Sequence, residues 1–191
     1  GGAAARQYPY RTNPQFESGK HLLCQPVACN LGQDSQRLAP GIYRRHQVLG
    51  NKNGVWVIDD FAHNPVKCAA AMEACQPIAP KLIAWFQPHG YGPTKFLRND
   101  FVDEIANKMR EEDEIWMSEI FYAGGTAVKD ISANDLISDL KAKGKKAFFV
   151  ESRNDLLVAI RPHLTTNCVL LLMGARDPSL EQFARTIWEQ L

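Results

Sequence analysis

The sequence predicts an α/β fold: a mainly parallel sheet with helices on both faces, entered through an N-terminal antiparallel hairpin. Three observations carry that expectation. Short apolar runs recur, and after Val55 they alternate with segments of helical spacing, the βαβ order that builds parallel sheets through right-handed crossovers. The runs are apolar at consecutive positions, as in Lys81-Leu82-Ile83-Ala84-Trp85-Phe86, which marks strands covered on both faces. The first two runs are joined by Asn51-Lys52-Asn53-Gly54, a short Asn/Gly turn of the kind that closes a hairpin.

The bulk composition narrows the function classes. A chain of 191 residues can bury a sizeable single core. It is 45% hydrophobic and 23% charged, ordinary for a soluble globular protein. A net charge of +1 implies no general attraction to nucleic acid or to a membrane surface. No apolar run is long enough to span a bilayer, and the opening Gly-Gly-Ala-Ala-Ala-Arg lacks the pattern of a signal peptide. The cysteines, Cys24, Cys29, Cys68, Cys75 and Cys168, are odd in number and none has CxxC spacing. Reduced, packed thiols in a cytoplasmic protein are expected rather than a metal site or a disulfide framework.

Residues 1–40 hold Tyr8-Pro9-Tyr10, Asn13-Pro14, Gln25-Pro26 and Ala39-Pro40 without sustained periodicity. They read as loop or extended chain, a linker or the remnant of a preceding domain, with the main domain over 41–191. Ile42 to Gly50 is the first expected strand. Gly54 to Ile58 begins the second, which stops at Asp59-Asp60-Phe61-Ala62-His63-Asn64-Pro65. Pro65 suits the first turn of a helix, where a missing N–H costs nothing, and the helix continues from Val66 to Cys75. Polar groups at the carboxyl end of a buried strand occupy the place where open α/β sheets bind ligands. The same residues are also compatible with a plainer arrangement, Asp59 and Asp60 capping the helix and His63 in a loop.

Lys81 to Phe86 is the next strand. It ends in the turn-rich Gln87-Pro88-His89-Gly90-Tyr91-Gly92-Pro93-Thr94, before a helix from about Phe96 to Arg110. Glu114 to Ser118 is a fourth strand, followed by a glycine-bearing loop over Phe121 to Thr126. Ser132 to Lys143 is helical, with Leu136, Ile137 and Leu140 on one face, Ser132 as cap and Gly144 as stop. Lys145 to Val150 is a strand, Asn154 to Arg161 a short helix, and Asn167 to Met173 a wholly apolar last strand. Gly174-Ala175-Arg176-Asp177-Pro178 leads into a final helix from about Ser179. That turn can cradle an anion or simply connect strand to helix. The whole is a Rossmann-like layering.

Two of these polar segments carry a resemblance. Asp59 to Pro65 is similar to the DDYGHHP or DDFAHHP motif that opens the C-terminal domain of the Mur ligases, the ATP-dependent amide ligases of peptidoglycan synthesis. Phe86-Gln87-Pro88-His89, with Tyr91 and Thr94, resembles the FQPHRYSRT loop of the alanine-adding members; the murein tripeptide ligases share the first motif. Arg44-Arg45-His46 resembles the RRFE or RRHE segment that precedes them. The resemblance implies that Arg45 reaches the nucleotide phosphates and Asp60 holds the ribose. It implies that Phe61, His63, Asn64 and His89 face the amine substrate, with no catalytic residue and no metal ligand in this chain alone. Solvated strand arginines are the alternative for Arg44 and Arg45.

The resemblance covers Gly41 to Leu191 and implies the C-terminal domain of a larger ligase, partnered by N-terminal and central domains. ATP and Mg²⁺ would be the cofactors, bound mainly by those domains, and UDP-N-acetylmuramate and an amino acid, L-alanine by the loop motif, the substrates. No G-x-x-x-x-G-K-[ST] occurs in these residues, so the chain alone is expected to be inactive. One departure bears on the substrate: Gly90 and Pro93 stand where the alanine-adding loop has arginines. Where the family usually has a GAGD turn, this chain has Gly174-Ala175-Arg176-Asp177. A ligase with another amine substrate, such as a murein tripeptide, and a non-catalytic binding or regulatory module are the alternatives.

Overall fold

The computed structural model describes residues 44–122 and 124–191. The expectations for residues 1–40, for Cys24 and Cys29, and for Ile42 and Tyr43 at the head of the first strand lie outside the described residues. In chain order the elements are β1 (Gln47–Lys52), β2 (Val55–Asp60), α1 (Pro65–Cys75), β3 (Lys81–Gln87), α2 (Tyr91–Phe96) and α3 (Arg98–Lys108). They continue with β4 (Glu114–Met117), α4 (Ala133–Ala142), β5 (Lys146–Phe149), α5 (Leu156–Ile160), β6 (Cys168–Gly174) and α6 (Leu180–Gln190). Six strands form one sheet in the order β1-β2-β6-β3-β4-β5. All neighbours are parallel except the β1–β2 hairpin.

The last strand to form in sequence is central in space. β6 lies between β2 and β3, and its side chains divide between two cores. Val169, Leu171 and Met173 pack with residues of α1, α3 and α4, such as Met72, Ile105 and Leu136. Cys168, Leu170 and Leu172 pack with Leu156 and Ile160 of α5 and Ala184 and Ile187 of α6. The period-2 alternation of a strand supplies both faces from one apolar run. Helices therefore cover both faces, as expected.

This layering also parts the loops at the carboxyl end of the sheet. The chain leaves β2 and β3 toward one face, into α1 and the α2–α3 pair, and leaves β6 toward the other, into α6. Where neighbouring parallel strands send their connections to opposite faces, a crevice opens, and open α/β sheets bind ligands there.

Three local expectations change. The hairpin turn is the two-residue Asn53-Gly54, both at positive φ (56° and 82°), so Asn51 and Lys52 belong to β1. These are the dihedrals of a type I′ turn, whose twist matches that of the strands it joins. β1 starts only at Gln47, because Arg44 and His46 have φ of 48°, which a strand does not accommodate. The helix expected over 96–110 is two. α2 starts at Tyr91, with Pro93 in its first turn where no N–H is needed, and it gives way at Leu97 (φ −96°, ψ 11°) to α3.

The helix caps are where the sequence placed them in one case and not in another. Ser132 caps α4 in a full capping box with Asp135. Asn64 caps α1 by accepting from Lys67 N–H at 2.9 Å, so Asp59 and Asp60 are not its caps. Cys68, Cys75 and Cys168 are buried free thiols on α1 and β6. Burial pushes the Cys75 thiol up to about 12, and the Cys68 thiol also upward.

Candidate active site at the carboxyl edge of the sheet

The two aspartates at the end of β2 take different work. Asp59 faces Arg44 in a two-pronged pair, Nε to Oδ2 at 2.9 Å and Nη2 to Oδ1 at 3.2 Å. Arg44 Nη2 also donates to the carbonyl of Gly174 at 3.0 Å. Both side chains are buried. Burial pushes the Asp59 carboxyl above its ordinary range, against the pull of the Arg44 hydrogen bond and charge. Arg44 is thus a structural bolt between the hairpin and β6, not a solvated residue, and its left-handed backbone turns the side chain inward.

Asp60 is 7% exposed. Its Oδ1 accepts from Ala62 N–H at 2.7 Å, and its Oδ2 accepts from His46 N–H at 2.7 Å with the His46 ring Nδ1 at 3.2 Å. These bonds fix the carboxylate while leaving part of its acceptor capacity, which is about four lone-pair sites. Arg45, between the two anchored residues, is exposed and makes no ion pair with the described residues. Phe61 is 44% exposed. The Arg44 guanidinium lies 5.3 Å from its ring centre, and its N–H donates to the Arg44 carbonyl at 2.7 Å.

His63 and His89 leave different strands and meet over the end of β6, with ring centres 5.8 Å apart. His63 is oriented by its Nδ1 contact to the Phe61 carbonyl at 2.8 Å and by an edge-on packing against the Phe61 ring. His89 is placed by backbone pairing of its loop with the segment after β4: Gly90 N–H donates to Phe121 O at 2.9 Å, and Phe121 N–H to Pro88 O at 2.8 Å. Its Nδ1 is buried without a partner among the described residues. Burial lowers the His89 pKa, and the charges of His63 and Arg176 lower it further, so the ring is neutral at neutral pH. A small pocket of about 150 Å³ is lined by His63, Asn64, Pro88, His89, Pro93 and Thr94, among others.

Of the residues singled out in the sequence, His63, Asn64 and His89 share this pocket. Phe61 touches it through His63; Asp60 ends β2 and Arg45 is exposed ahead of β1, and neither is among the pocket's lining residues. Asn64 spends its side-chain oxygen on the cap of α1, leaving its NH₂ for other partners. Sequence reasoning passed over Arg44, although two adjacent arginines ahead of two adjacent aspartates are a visible sign that one pair is internal. The turn after β6 is held by Asp177, which accepts from Ser179 N–H at 2.9 Å and pairs with Arg153. Burial raises the Asp177 carboxyl, but the Ser179 hydrogen bonds and Arg153 outweigh it and hold it below the ordinary range. Among the described residues no three His, Cys, Asp or Glu side chains gather to hold a metal ion.

Residues 44–176 match the family model of the Mur ligase, glutamate ligase domain. The chain belongs to the Mur ligase family. It is 36% identical over 152 residues to a UDP-N-acetylmuramate–L-alanine ligase of Clostridium botulinum, covering 79% of this chain and 31% of that one. It is 28% identical over 169 residues to the same enzyme of Carboxydothermus hydrogenoformans, covering 82% and 36%. The crystal structure of the Thermotoga maritima UDP-N-acetylmuramate–alanine ligase superposes with a TM-score of 0.59 at 25% identity, over 79% of this chain and 30% of that one. A murein peptide ligase from Psychrobacter arcticus shares the fold, with a TM-score of 0.58 at 15% identity over 78% and 30%. The chain spans about a third of the length of these Mur ligase relatives. Among the described residues no helix is long and apolar enough to cross a membrane.

Proposed function

We propose that this domain closes over the nucleotide and positions the amine substrate of an ATP-dependent Mur ligase that joins an amino acid, L-alanine by its loop motif, to UDP-N-acetylmuramate. The observation that carries the reading is the meeting of His63 and His89 over β6, in a chain whose Asp60 is anchored and whose Arg45 is exposed. Arg45 offers a free guanidinium to phosphate oxygens, and Asp60 an oriented acceptor to a ribose hydroxyl. The imidazoles of His63 and His89 orient the attacking amine by hydrogen bonding, and Phe61 covers it from water. ATP supplies the activation of the muramyl carboxylate as an acyl phosphate. The nucleotide cradle and Mg²⁺ are assigned to the N-terminal and central domains, since no Walker-type loop occurs in these 191 residues.

The test is phosphate release by the whole protein given ATP, Mg²⁺ and UDP-N-acetylmuramate with L-alanine, glycine, L-serine or murein tripeptide in parallel. Release with L-alanine alone supports the reading. Release with the tripeptide alone moves the protein to a recycling ligase; the neutral Gly90 and Pro93 favour a different amine, and the Phe86-Gln87-Pro88-His89 segment opposes the tripeptide. A folded protein that releases no phosphate with any amine would leave a binding module. Asp60→Asn keeps the size of the side chain, although its amide oxygen can accept from only one of Ala62 N–H and His46 N–H, and it is expected to raise the KM for ATP about tenfold or more, the loss of one charge-assisted hydrogen bond. Unchanged nucleotide kinetics would remove Asp60 from the site.

A further inference from the structure

The geometry points to Arg176 as the cation that receives the carboxylate of the incoming amino acid, and so as a specificity-determining residue of this domain. The inference rests on the ligase reading above. Its basis is the turn after β6. Arg176 has φ of 70°, a left-handed conformation that glycine adopts freely and an L side chain rarely does. Its neighbours hold it there. Ala175 and Asp177 are buried, and Asp177 is clamped by Ser179 and Arg153. Arg176 is exposed, and it makes no hydrogen bond or ion pair with the described residues. Strain that the surroundings over-determine is characteristic of functional positions.

The position is central. In register, Gly174 lies opposite Gln87 on β3, and Met173 opposite Asp60 on β2. The β6 turn therefore rises between the loop that carries His63 and the loop that carries His89, on the floor of the crevice. Arg176 is close enough for its charge to act on the His89 ring. The pocket lining, which includes His63, Asn64, His89, Pro93 and Thr94, carries no Lys or Arg. A planar guanidinium takes both oxygens of a carboxylate, while the paired imidazoles meet the amine end of the same short molecule.

The test uses the 191-residue chain and the imidazole NMR signals of His63 and His89. Wild type, Arg176→Gln, Arg176→Gly and Arg176→Lys are titrated with L-alanine, L-alaninamide and inorganic phosphate, and each Tm is measured. The expected result is saturable shifts with L-alanine and at least tenfold weaker binding of the amide, which lacks the carboxylate. Arg176→Gln and Arg176→Gly weaken L-alanine about tenfold and abolish the difference between acid and amide; Arg176→Lys restores part of it. Arg176→Gly has an equal or higher Tm, because the left-handed turn is relaxed. Equal L-alanine affinity in wild type and Arg176→Gln overturns the assignment and leaves the amino-acid pocket standing. Tighter, Arg176-dependent binding of phosphate than of L-alanine overturns it in favour of a phosphate contact. Wild type that responds to neither L-alanine nor its amide overturns the amino-acid pocket and the assignment together.

Discussion

Arg44 and Arg45 show how far apart adjacent residues of one type can be. Arg44 is buried against Asp59, and its removal leaves a carboxylate with no counter-charge inside the protein. Arg44→Ala is therefore expected to cost about 3–5 kcal/mol of stability, the range for breaking a buried ion pair from one side. Arg45→Ala, at an exposed position, should stay within about 0.5 kcal/mol. Urea titration of the two variants separates them, and comparable midpoints would refute the division of labour. His89 adds a pH dependence. Its folded-state pKa is lowered, so above about pH 6.5 folded and unfolded chains are both neutral there and the residue contributes no slope. As pH falls through that value the unfolded chain binds the proton first, and stability drops until the folded ring is also protonated. His89→Gln should flatten the loss of Tm between pH 7 and pH 5; an unaltered slope would mean that the ring titrates normally.

At the scale of elements, the hairpin is held to the rest of the fold by more than its ladder. Its β-bulge, where the register shifts between Val48 and Gly50, brings Gly50 under α6. A Cβ at Gly50 would stand 2.6 Å from the Trp188 ring, and the φ of 151° is one that side chains disfavour. Gly50→Ala should destabilise the fold by about 1–3 kcal/mol, as overpacking does. A Trp188→Leu change in the same chain should recover part of that loss, so strict additivity in the double-mutant cycle would disprove the contact. Ser132→Ala should cost about 1 kcal/mol for the lost cap. Most elements were legible in the sequence because their signals are local: apolar runs for β2, β3 and β6, Pro65 for the start of α1, the Ser132 box for α4. The divided helix after β3 was not, because Leu97 carries no breaker and its bend is set by what α2 and α3 pack on. The start of β1 was hidden for a like reason. Nothing local announces that Arg44 and His46 turn left-handed; their partners are distant in sequence, Asp59 for Arg44, fifteen residues on, and Asp60 for His46, fourteen on.

Across the whole molecule, the site end and the opposite end of the sheet are built differently. At the carboxyl end, the two imidazoles line a small pocket and Arg45 and Arg176 are exposed, and the motifs Asp59–Pro65 and Phe86–Thr94 made that end readable. What was not readable is where Arg176 stands, since that depends on β6 returning between β2 and β3, a fact of topology that no local pattern encodes. At the amino end, Glu114 pairs with Lys81 at 2.8 Å and His163 at 3.0 Å, and Asp113 with Arg110 at 2.8 Å while accepting from Leu82 N–H at 3.0 Å. Burial raises both carboxyls, but their partners outweigh it and hold both below the ordinary range. Carboxylates with lowered folded pKa values contribute stability at neutral pH that is lost as pH falls through those values. Acid thus loosens the amino end through carboxylates and the carboxyl end through His89, and β6, joined to strands on both sides, is left as the last element to open. Amide exchange should follow that order. The N–H groups of Val169 to Met173 should be the slowest to exchange and should report the global unfolding free energy, while those of the edge strands β1 and β5 exchange through smaller openings. Leu171→Ala should lower the protection of the whole β6 segment by about 2–5 kcal/mol, the cost of a core truncation. Protection in β5 equal to that in β6, or a loss at Leu171 confined to its own amide, would show that the sheet does not unfold around its centre.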